Sequence, residues 1–221
     1  MTKLRICFVG DAILRGVDDT IHLGWPERLC TSARKEGHEV TLCNLAVRRQ
    51  TTAEIARRWR AECEARLAFD VPGDTPGALI FAFGVNDMAC DTGALFRASP
   101  ARSEITARKI IEEAAAWKPV LWIGPAPVAE RITAEAAAHG LEPDYHDKRL
   151  AMLAPAYGAI AEDLGVPFLD LFAALAGDRR WAQCLGAGDG VYPDGEGYGL
   201  IAELIGQWPA WRSWLDGGVK S

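Results

Sequence analysis

The sequence predicts a doubly wound α/β fold, a five-stranded parallel sheet covered by helices on both faces. Three observations support this prediction. Short apolar runs alternate with longer helical patterns along almost all of the 221 residues. The runs are compact and mostly apolar, as strands buried on both faces are. Strands that alternate with helices in this rhythm are joined by right-handed crossovers and form a parallel sheet.

The strand pattern occurs in five compact apolar segments, each bounded by Gly, Pro, Asn or Asp. Their lengths suit buried strands better than helices. The predicted strands are residues 4–9, 39–42, 78–83, 120–123 and 167–169.

The helical segments are recognised by their ends. The first is predicted over 24–36, because Pro26 suits a first helical turn and Gly37 a C-terminus. The second begins at a T-x-x-E capping box formed by Thr51 and Glu54. It is predicted to run to about residue 67, and the remaining helices are predicted over 103–117, 147–164 and 197–207.

The composition excludes several classes of protein. With 49% hydrophobic and 24% charged residues, the chain is neither disordered nor collagen-like. The net charge of -6, with no long run of Lys and Arg, does not favour binding of nucleic acid or anionic lipid. The densest basic groups, 48–49 and 57–60, are predicted to be solvated faces. No run approaches the ~18 apolar residues of a membrane span, and the N-terminus lacks a signal-peptide pattern. We therefore expect a soluble, cytoplasmic protein with no nucleic-acid or membrane partner.

The sequence predicts no metal or other cofactor. Its six cysteines are scattered without a C-x-x-C pair and are expected to be small core residues. The glycine-rich stretch 186–199 lacks both the P-loop lysine and the dinucleotide fingerprint. The oligomeric state is left open.

Candidate site residues follow the predicted strands, because ligands of this fold bind beyond the carboxyl ends of the strands. Three strands are followed by distinctive blocks, and a fourth block stands near the C-terminus. The blocks are Gly10-Asp11-Ala12, Asn44-Leu45-Ala46, Gly84-Val85-Asn86-Asp87 and Asp189-Gly190-Val191-Tyr192-Pro193.

These blocks resemble, in order, the G-D-S-[LIF], N-L-G, G-x-N-D and D-x-x-H-P blocks of the GDSL or SGNH hydrolase family. The resemblance covers nearly the whole chain and implies one flavodoxin-like, SGNH-hydrolase-like domain over residues 1–221. In that family the Ser is the nucleophile, the His is its base, and the Asp three residues earlier orients the His. The Ser amide, the Gly amide and the Asn side chain form the oxyanion hole.

Compared position by position, this sequence has the family's Asn at Asn86 and its Asp at Asp189, but it differs from the family at three other functional positions. Ala12 stands in place of the Ser, Ala46 in place of the Gly, and Tyr192 in place of the His. Alanine cannot attack a carbonyl carbon. A tyrosine of ordinary pKa ~10 is deprotonated in about one molecule per thousand at pH 7. Ordinary serine-esterase activity is therefore predicted to be absent, although the Ala46 amide can still donate a hydrogen bond.

Several groups are candidates for acid–base chemistry in such a site. Asp11, Asp189 or a lid histidine could act as base and Tyr192 as acid. The preferred histidine is His146, in the long connection 132–147, which reads equally as a lid or as a solvated helical insertion.

Other residues are predicted to surround the ligand. Cys90 follows the third strand and is an alternative thiol nucleophile. Trp25 is predicted to form an aromatic wall, and Gly84 lies in the third block beside the pocket.

The leading hypothesis is an enzyme that acts on a carbonyl-containing small molecule without an acyl-enzyme, through isomerisation, cyclisation, elimination or an aldol-type step. The residual oxyanion hole of Asn86 and the amides of Ala12 and Ala46 would stabilise an enolate or alkoxide. One alternative is a catalytically inactive, esterase-like binding protein for an acyl ligand. Another is an esterase whose nucleophile was replaced.

Overall fold

The computed structural model describes residues 1–67, 75–91, 96–139 and 143–219. Residues 140–142 of the predicted lid lie outside these ranges. The division into one domain with a lid over 132–147 stays a prediction.

The predicted parallel sheet is confirmed. Its five strands run in the order β2-β1-β3-β4-β5, so that β1 lies between β2 and β3. All four strand pairs are parallel. The strands are β1 (Lys3–Gly10), β2 (Glu39–Ala46), β3 (Gly77–Ala82), β4 (Val120–Ile123) and β5 (Phe168–Leu169).

Helices follow the strands through the described ranges. None of them is long and apolar enough to cross a membrane. They are α1 (Trp25–Lys35), α2 (Thr52–Ala56), α3 (Trp59–Leu67), α4 (Pro100–Ala115), α5 (Glu130–Ala138), α6 (Asp147–Asp163), α7 (Leu171–Leu175), α8 (Arg179–Gly186), α9 (Gly195–Gln207) and α10 (Pro209–Ser213).

Three differences from the predicted element boundaries exceed two residues. β2 continues past Leu42 to Ala46, because this edge strand pairs in register with β1 as far as Gly10. The capping box of Thr51 and Glu54 is present, but the predicted helix breaks after α2, where Arg57 is the C-cap. The helix predicted over 103–117 begins earlier, with Ser99 as its N-cap. Helix α5 occupies much of the connection for which a lid and a helical insertion were both considered, whereas α7, α8 and α10 were not predicted.

Two apolar layers enclose the sheet. Alternation along β1 places Cys7 in one layer and Phe8 in the other. The first layer packs Trp59 and Trp122 against the sheet, and the second packs Trp25. Buried aromatic rings of this size dominate the energy of a core. The strand ends that carry the candidate site therefore rest on a rigid scaffold.

The close approach of β1 to β3 at the site end requires glycine. A Cβ atom on Gly10 would lie 1.8 Å from the carbonyl oxygen of Ala82. Because that oxygen belongs to the backbone of a central strand, it cannot move away cheaply.

We predict that Gly10→Ala lowers the free energy of unfolding by about 3 kcal/mol or more, because the strands must separate. Gly199→Ala in α9 is the matched control, since a Cβ there meets nothing within 4 Å. The control should be neutral or stabilising by up to ~1 kcal/mol. Urea unfolding of both variants measures the difference, and equal stabilities would contradict the prediction.

Candidate active site

The carboxyl ends of β1 and β3 are joined by a buried polar chain. Asn86 Nδ2 donates to Asp11 Oδ2 at 3.1 Å, and the Tyr145 hydroxyl donates to Asn86 Oδ1 at 3.0 Å. Asp11 is 2% exposed, Asn86 1% and Tyr145 2%. The Asn86 carboxamide is therefore held at both ends. The structure thus brings together two predicted site residues, Asp11 and Asn86, and adds Tyr145.

A short 3-10 turn after β1 and another after β3 direct the chain toward this site. Asp11 caps the 3-10 turn Ala12–Leu14 by accepting a hydrogen bond from the Ile13 amide at 3.1 Å. Gly84, with φ of 123°, turns the chain from β3 into the 3-10 turn Val85–Met88. That backbone conformation strains any other residue, and a Cβ on Gly84 would lie 3.0 Å from the Tyr157 ring.

The Asp11 carboxyl titrates near neutrality. Burial, with a smaller contribution from the nearby charge of Asp87, raises its pKa to about 7. The hydrogen bonds from the Ile13 amide and from Asn86 oppose this rise but do not cancel it. A carboxyl of this pKa has the proton affinity that general acid–base catalysis at neutral pH requires.

Tyr192 closes the site from the C-terminal block and is 4% exposed. The pKa of its phenol is raised well above the usual range, first by burial and then by the charge of Asp11. The guanidinium of Arg48 lies 5.8 Å from the centre of its ring. Tyr192 is therefore a proton donor and not a base at neutral pH.

Asp189 holds the turn that carries Tyr192. Its Oδ1 accepts hydrogen bonds from the amides of Val191 and Tyr192, both at 2.9 Å. Gly190 supplies the positive φ of 84° that this turn needs. Through these contacts Asp189 fixes the backbone at position 192.

Two of the three predicted oxyanion-hole donors already have acceptors. The Ala46 amide donates to Asn44 Oδ1 at 3.1 Å, and Asn86 Nδ2 donates to Asp11. The Ala12 amide has no acceptor within the described ranges. Ala12 itself is completely buried. The predicted hole is thus not open, and a ligand would compete with the Asp11–Asn86 hydrogen bond.

Trp25, predicted to form an aromatic wall, lies in the core beside Asp11, and its role in binding a ligand stays a prediction. Trp25 is completely buried and packs edge-to-face on Phe8, with ring centres 5.6 Å apart. It lines, with Asp11, an enclosed cavity of about 10 Å³, room for roughly one water molecule. Its Nε1 has no hydrogen-bond partner within the described ranges. A larger cleft of about 660 Å³ lies between α1 and α9, and none of the predicted site residues lines it.

Cys90 and His146 have partners of their own. Arg149 Nη1 lies 3.0 Å from Cys90 Sγ, which is half-buried. His146 Nδ1 lies 2.6 Å from Glu130 Oε1, and its Nε2 lies 2.6 Å from Asp144 Oδ2. Both ring nitrogens of His146 are thus engaged by carboxylates, and its role as a base at the site stays a prediction.

Sequence reasoning missed Tyr145 and misjudged Arg58. No motif marks Tyr145, which precedes α6 and meets Asn86 only in the folded chain. Arg58 was predicted to be solvated, but its side chain is only 15% exposed. It donates to the carbonyl oxygens of Gly10 at 3.0 Å and Leu45 at 2.7 Å, which ties the ends of β1 and β2 together.

Beneath the site, Asp87 anchors the 3-10 turn that presents Asn86. This completely buried carboxyl accepts from the amide and the hydroxyl of Thr52, both at 2.9 Å, and from the Ser103 hydroxyl at 2.9 Å. The Tyr157 hydroxyl lies 2.7 Å from Ser103 Oγ. Burial still raises the pKa of Asp87. The network joins α2, α4 and α6 to the end of β3.

No group of three or more His, Cys, Asp or Glu side chains in the described ranges could hold a metal ion.

We predict that Asp11 makes the stability of the protein fall as pH rises from about 4 to 7. The unfolded chain releases the Asp11 proton near pH 4, whereas the folded chain retains it until about pH 7. The linkage amounts to about 1.4 kcal/mol per pKa unit, hence up to ~4 kcal/mol over this window. Asp11→Asn should flatten the profile, as urea unfolding at several pH values would reveal.

Asp216→Asn is the control for this experiment, because Asp216 is exposed in the last helical turn. Its profile should match that of the unmodified chain. A profile unchanged in Asp11→Asn would show that Asp11 titrates at its ordinary pKa in the folded chain.

Comparison with solved structures finds the same fold. A lipase/acylhydrolase from Enterococcus faecalis has a TM-score of 0.73 at 20% identity, covering 100% of this chain and 98% of that chain. The psychrotrophic esterase EstA from Pseudoalteromonas sp., in a structure inhibited by monoethylphosphonate, has a TM-score of 0.65 at 16% identity and covers 96% and 98%. An acetylxylan esterase from Geobacillus stearothermophilus has a TM-score of 0.65 at 15% identity and covers 91% and 92%.

Sequence comparison with curated proteins gives no significant match. A family model does match, and it spans residues 8–200, which include all the strand-end blocks. The chain therefore belongs to the GDSL-like lipase/acylhydrolase family.

Proposed function

We propose that this chain is a non-hydrolytic member of its family that catalyses proton transfer on a carbonyl-containing small molecule. The observation that carries the proposal is the buried Asp11 carboxyl, with a pKa of about 7, beside Asn86 and two phenols. The class of reaction is isomerisation, cyclisation, elimination or an aldol-type step.

The first support is the chemistry that the site lacks. Ala12 and Tyr192 occupy the positions at which the resemblance places the nucleophilic Ser and its His. A methyl group cannot form an acyl-enzyme. A buried phenol with a raised pKa cannot deprotonate a nucleophile at neutral pH. In a serine protease, loss of either group lowers turnover by about a million-fold.

The second support is the chemistry that the site retains. Asp11 can accept a proton from the carbon next to a carbonyl group, since its conjugate acid has a near-neutral pKa. The charge that then develops on the carbonyl oxygen needs a hydrogen-bond donor. The Ala12 amide, the second hydrogen of Asn86 Nδ2 and the Tyr192 phenol are the candidates.

Tyr145 would support this chemistry by holding Asn86. Its hydrogen bond to Asn86 Oδ1 fixes the carboxamide so that Nδ2 points toward Asp11. A donor that is already oriented loses little free energy to reorganisation when charge develops on a substrate.

A second candidate function, non-catalytic binding, is favoured by the closure of the site. Ala12 is 0%, Asn86 1% and Tyr192 4% exposed, so a ligand reaches them only after side chains move. An esterase-like scaffold that binds an acyl compound or a partner without turnover would tolerate such closure.

We predict that the chain exchanges the α-hydrogens of a carbonyl ligand with deuterium in D2O. The assay uses a panel of ketones, esters and thioesters, with mass spectrometry as readout. Asp11→Asn should lower the exchange rate by about 10²- to 10⁴-fold, because the base is removed. Asn86→Ala should lower it by about 10²- to 10³-fold through loss of a donor.

Asp216→Asn is again the matched control and should exchange at the rate of the unmodified chain. Saturable ligand binding without exchange across the panel would favour the binding function. Exchange that survives both Asp11→Asn and Asn86→Ala would eliminate the proposed site.

We predict that the unmodified chain is not labelled by a fluorophosphonate probe, whereas the double variant Ala12→Ser with Tyr192→His is. The double variant should also hydrolyse p-nitrophenyl acetate, since it regains a nucleophile and a base. Ala12→Ser alone is the control and should remain almost inactive. Intact-protein mass spectrometry reads the labelling, and a stable adduct on the unmodified chain would overturn the loss of hydrolytic chemistry.

A further inference from the structure

Tyr145 belongs to a short segment, residues 144–146, that joins the site to the protein surface. Tyr145 points inward to Asn86, whereas the side chains of its neighbours Asp144 and His146 meet each other. The segment lies directly before α6, whose N-cap is His146. It is the only one of the described segments that brings a phenol to Asn86 Oδ1.

The contacts of His146 are those that a doubly protonated ring can make. Its two ring nitrogens lie 2.6 Å from carboxylate oxygens of Glu130 and Asp144. An ionised carboxylate only accepts hydrogen bonds, and a neutral imidazole carries a single N–H. Both contacts can therefore form at once only when the ring is the doubly protonated imidazolium. After loss of one proton, a ring lone pair would face a carboxylate oxygen.

We propose that protonated His146 is a positioning residue, which holds the 144–146 segment closed and thereby keeps Tyr145 on Asn86. Loss of its proton loosens the segment, so that the site is assembled on the acid side of the His146 titration. This inference deepens the proposed function, because it assigns a pH-dependent element to the same site.

The remaining contacts of the 144–146 segment connect the His146 contacts to the position of Tyr145. Asp144 and Cys90 exchange two backbone hydrogen bonds, of 2.8 and 2.9 Å, in an isolated antiparallel bridge. The carbonyl oxygen of Tyr145 accepts from the hydroxyl of buried Thr133 at 3.0 Å. The contacts of His146, the backbone bridge and the Thr133 hydrogen bond thus hold the chain on both sides of Tyr145.

The Asp144 carboxylate depends on His146. Its Oδ1 is buried and has no hydrogen-bond partner within the described ranges. The contact between its Oδ2 and the His146 ring therefore offsets much of the cost of desolvating the carboxylate. The Asp144 side chain is 29% exposed, so loss of the opposite charge weakens the contact without leaving a fully buried charge. Deprotonation of His146 therefore acts directly on the residue that forms the backbone bridge to Cys90.

Charged side chains from α5, α6 and the 144–146 segment lie around His146. Glu130 from α5 and Asp144 contact the ring, and hydrogen bonding to His146 is the main cause that lowers the pKa of Glu130. Asp147 adds a carboxyl whose pKa is raised by burial, and the charge of Lys148 also lowers the pKa of Glu130.

The test is a pH titration of the unmodified chain by ¹⁵N NMR of the imidazole rings, with hydrogen exchange of backbone amides followed in parallel. We expect two protonated nitrogens on His146 at low pH and one at high pH. The protection factors of the Cys90 and Asp144 amides should fall at least tenfold through the same midpoint, because these amides form the bridge.

Glu130→Gln should lower the midpoint of both transitions by about one pH unit, because one opposite charge is removed. His139→Gln is the matched control, since His139 is an exposed histidine just after α5 that contacts only the Glu135 carbonyl oxygen among the described residues. It should move neither transition.

Two results would overturn the inference. One is a His146 ring that stays neutral throughout the accessible pH range, and the other is bridge protection that does not follow the His146 titration. Neither readout involves turnover, so a failure here is distinct from a failure of the deuterium-exchange assay. If Glu130→Gln does not fold, the titration of the unmodified chain still decides.

Discussion

The hydrogen bond between Asn86 and Asp11 is the interaction on which the site depends. It joins the turns that follow β1 and β3 at the point where Gly10 brings these strands together. Below it, the buried Asp87 network fixes the turn that carries Asn86. Above it, Tyr145 occupies the other end of the same carboxamide. The site is therefore built on strand ends and not on a freely moving loop, which gives its polar groups defined positions.

The burial of the site keeps the Asp11 carboxyl away from water. Asp11 is 2% exposed, Ala12 is completely buried and Tyr192 is 4% exposed. Desolvation is the largest cause of the raised Asp11 pKa. Under the proposed function, the side chains at positions 12 and 192 supply no hydrolytic group and belong to the buried surroundings of the carboxyl base.

The sequence predicts most of the fold because its signals are local. Apolar runs mark the strands, and Thr51 with Glu54 marks the start of α2. The missed features depend on contacts between distant parts of the chain. Arg58 reads as one of several surface arginines until β1 and β2 present two carbonyl oxygens to it. Tyr145 and Asn86 are 59 residues apart, and no periodicity joins them. Asp11 and Asn86 were predicted because they lie in blocks after β1 and β3 that resemble the blocks of the GDSL family, at the strand ends where this fold binds ligands.

Stability and chemistry are opposed at Asp11. A purely structural carboxyl gains stability from partners that hold its pKa below the ordinary value. Asp11 has a hydrogen bond from a backbone amide and another from Asn86, yet burial outweighs both and its pKa rises to about 7. The nearby charge of Asp87 adds to the rise, while Asp11 in turn raises the pKa of Tyr192. The site thus disfavours negative charge, and Asp11 keeps its proton up to a pH of about 7. A fold that keeps such a group at its strand ends loses stability as the pH rises toward 7, which makes Asp11 a candidate functional group under the proposed function and not a carboxyl that stabilises the fold.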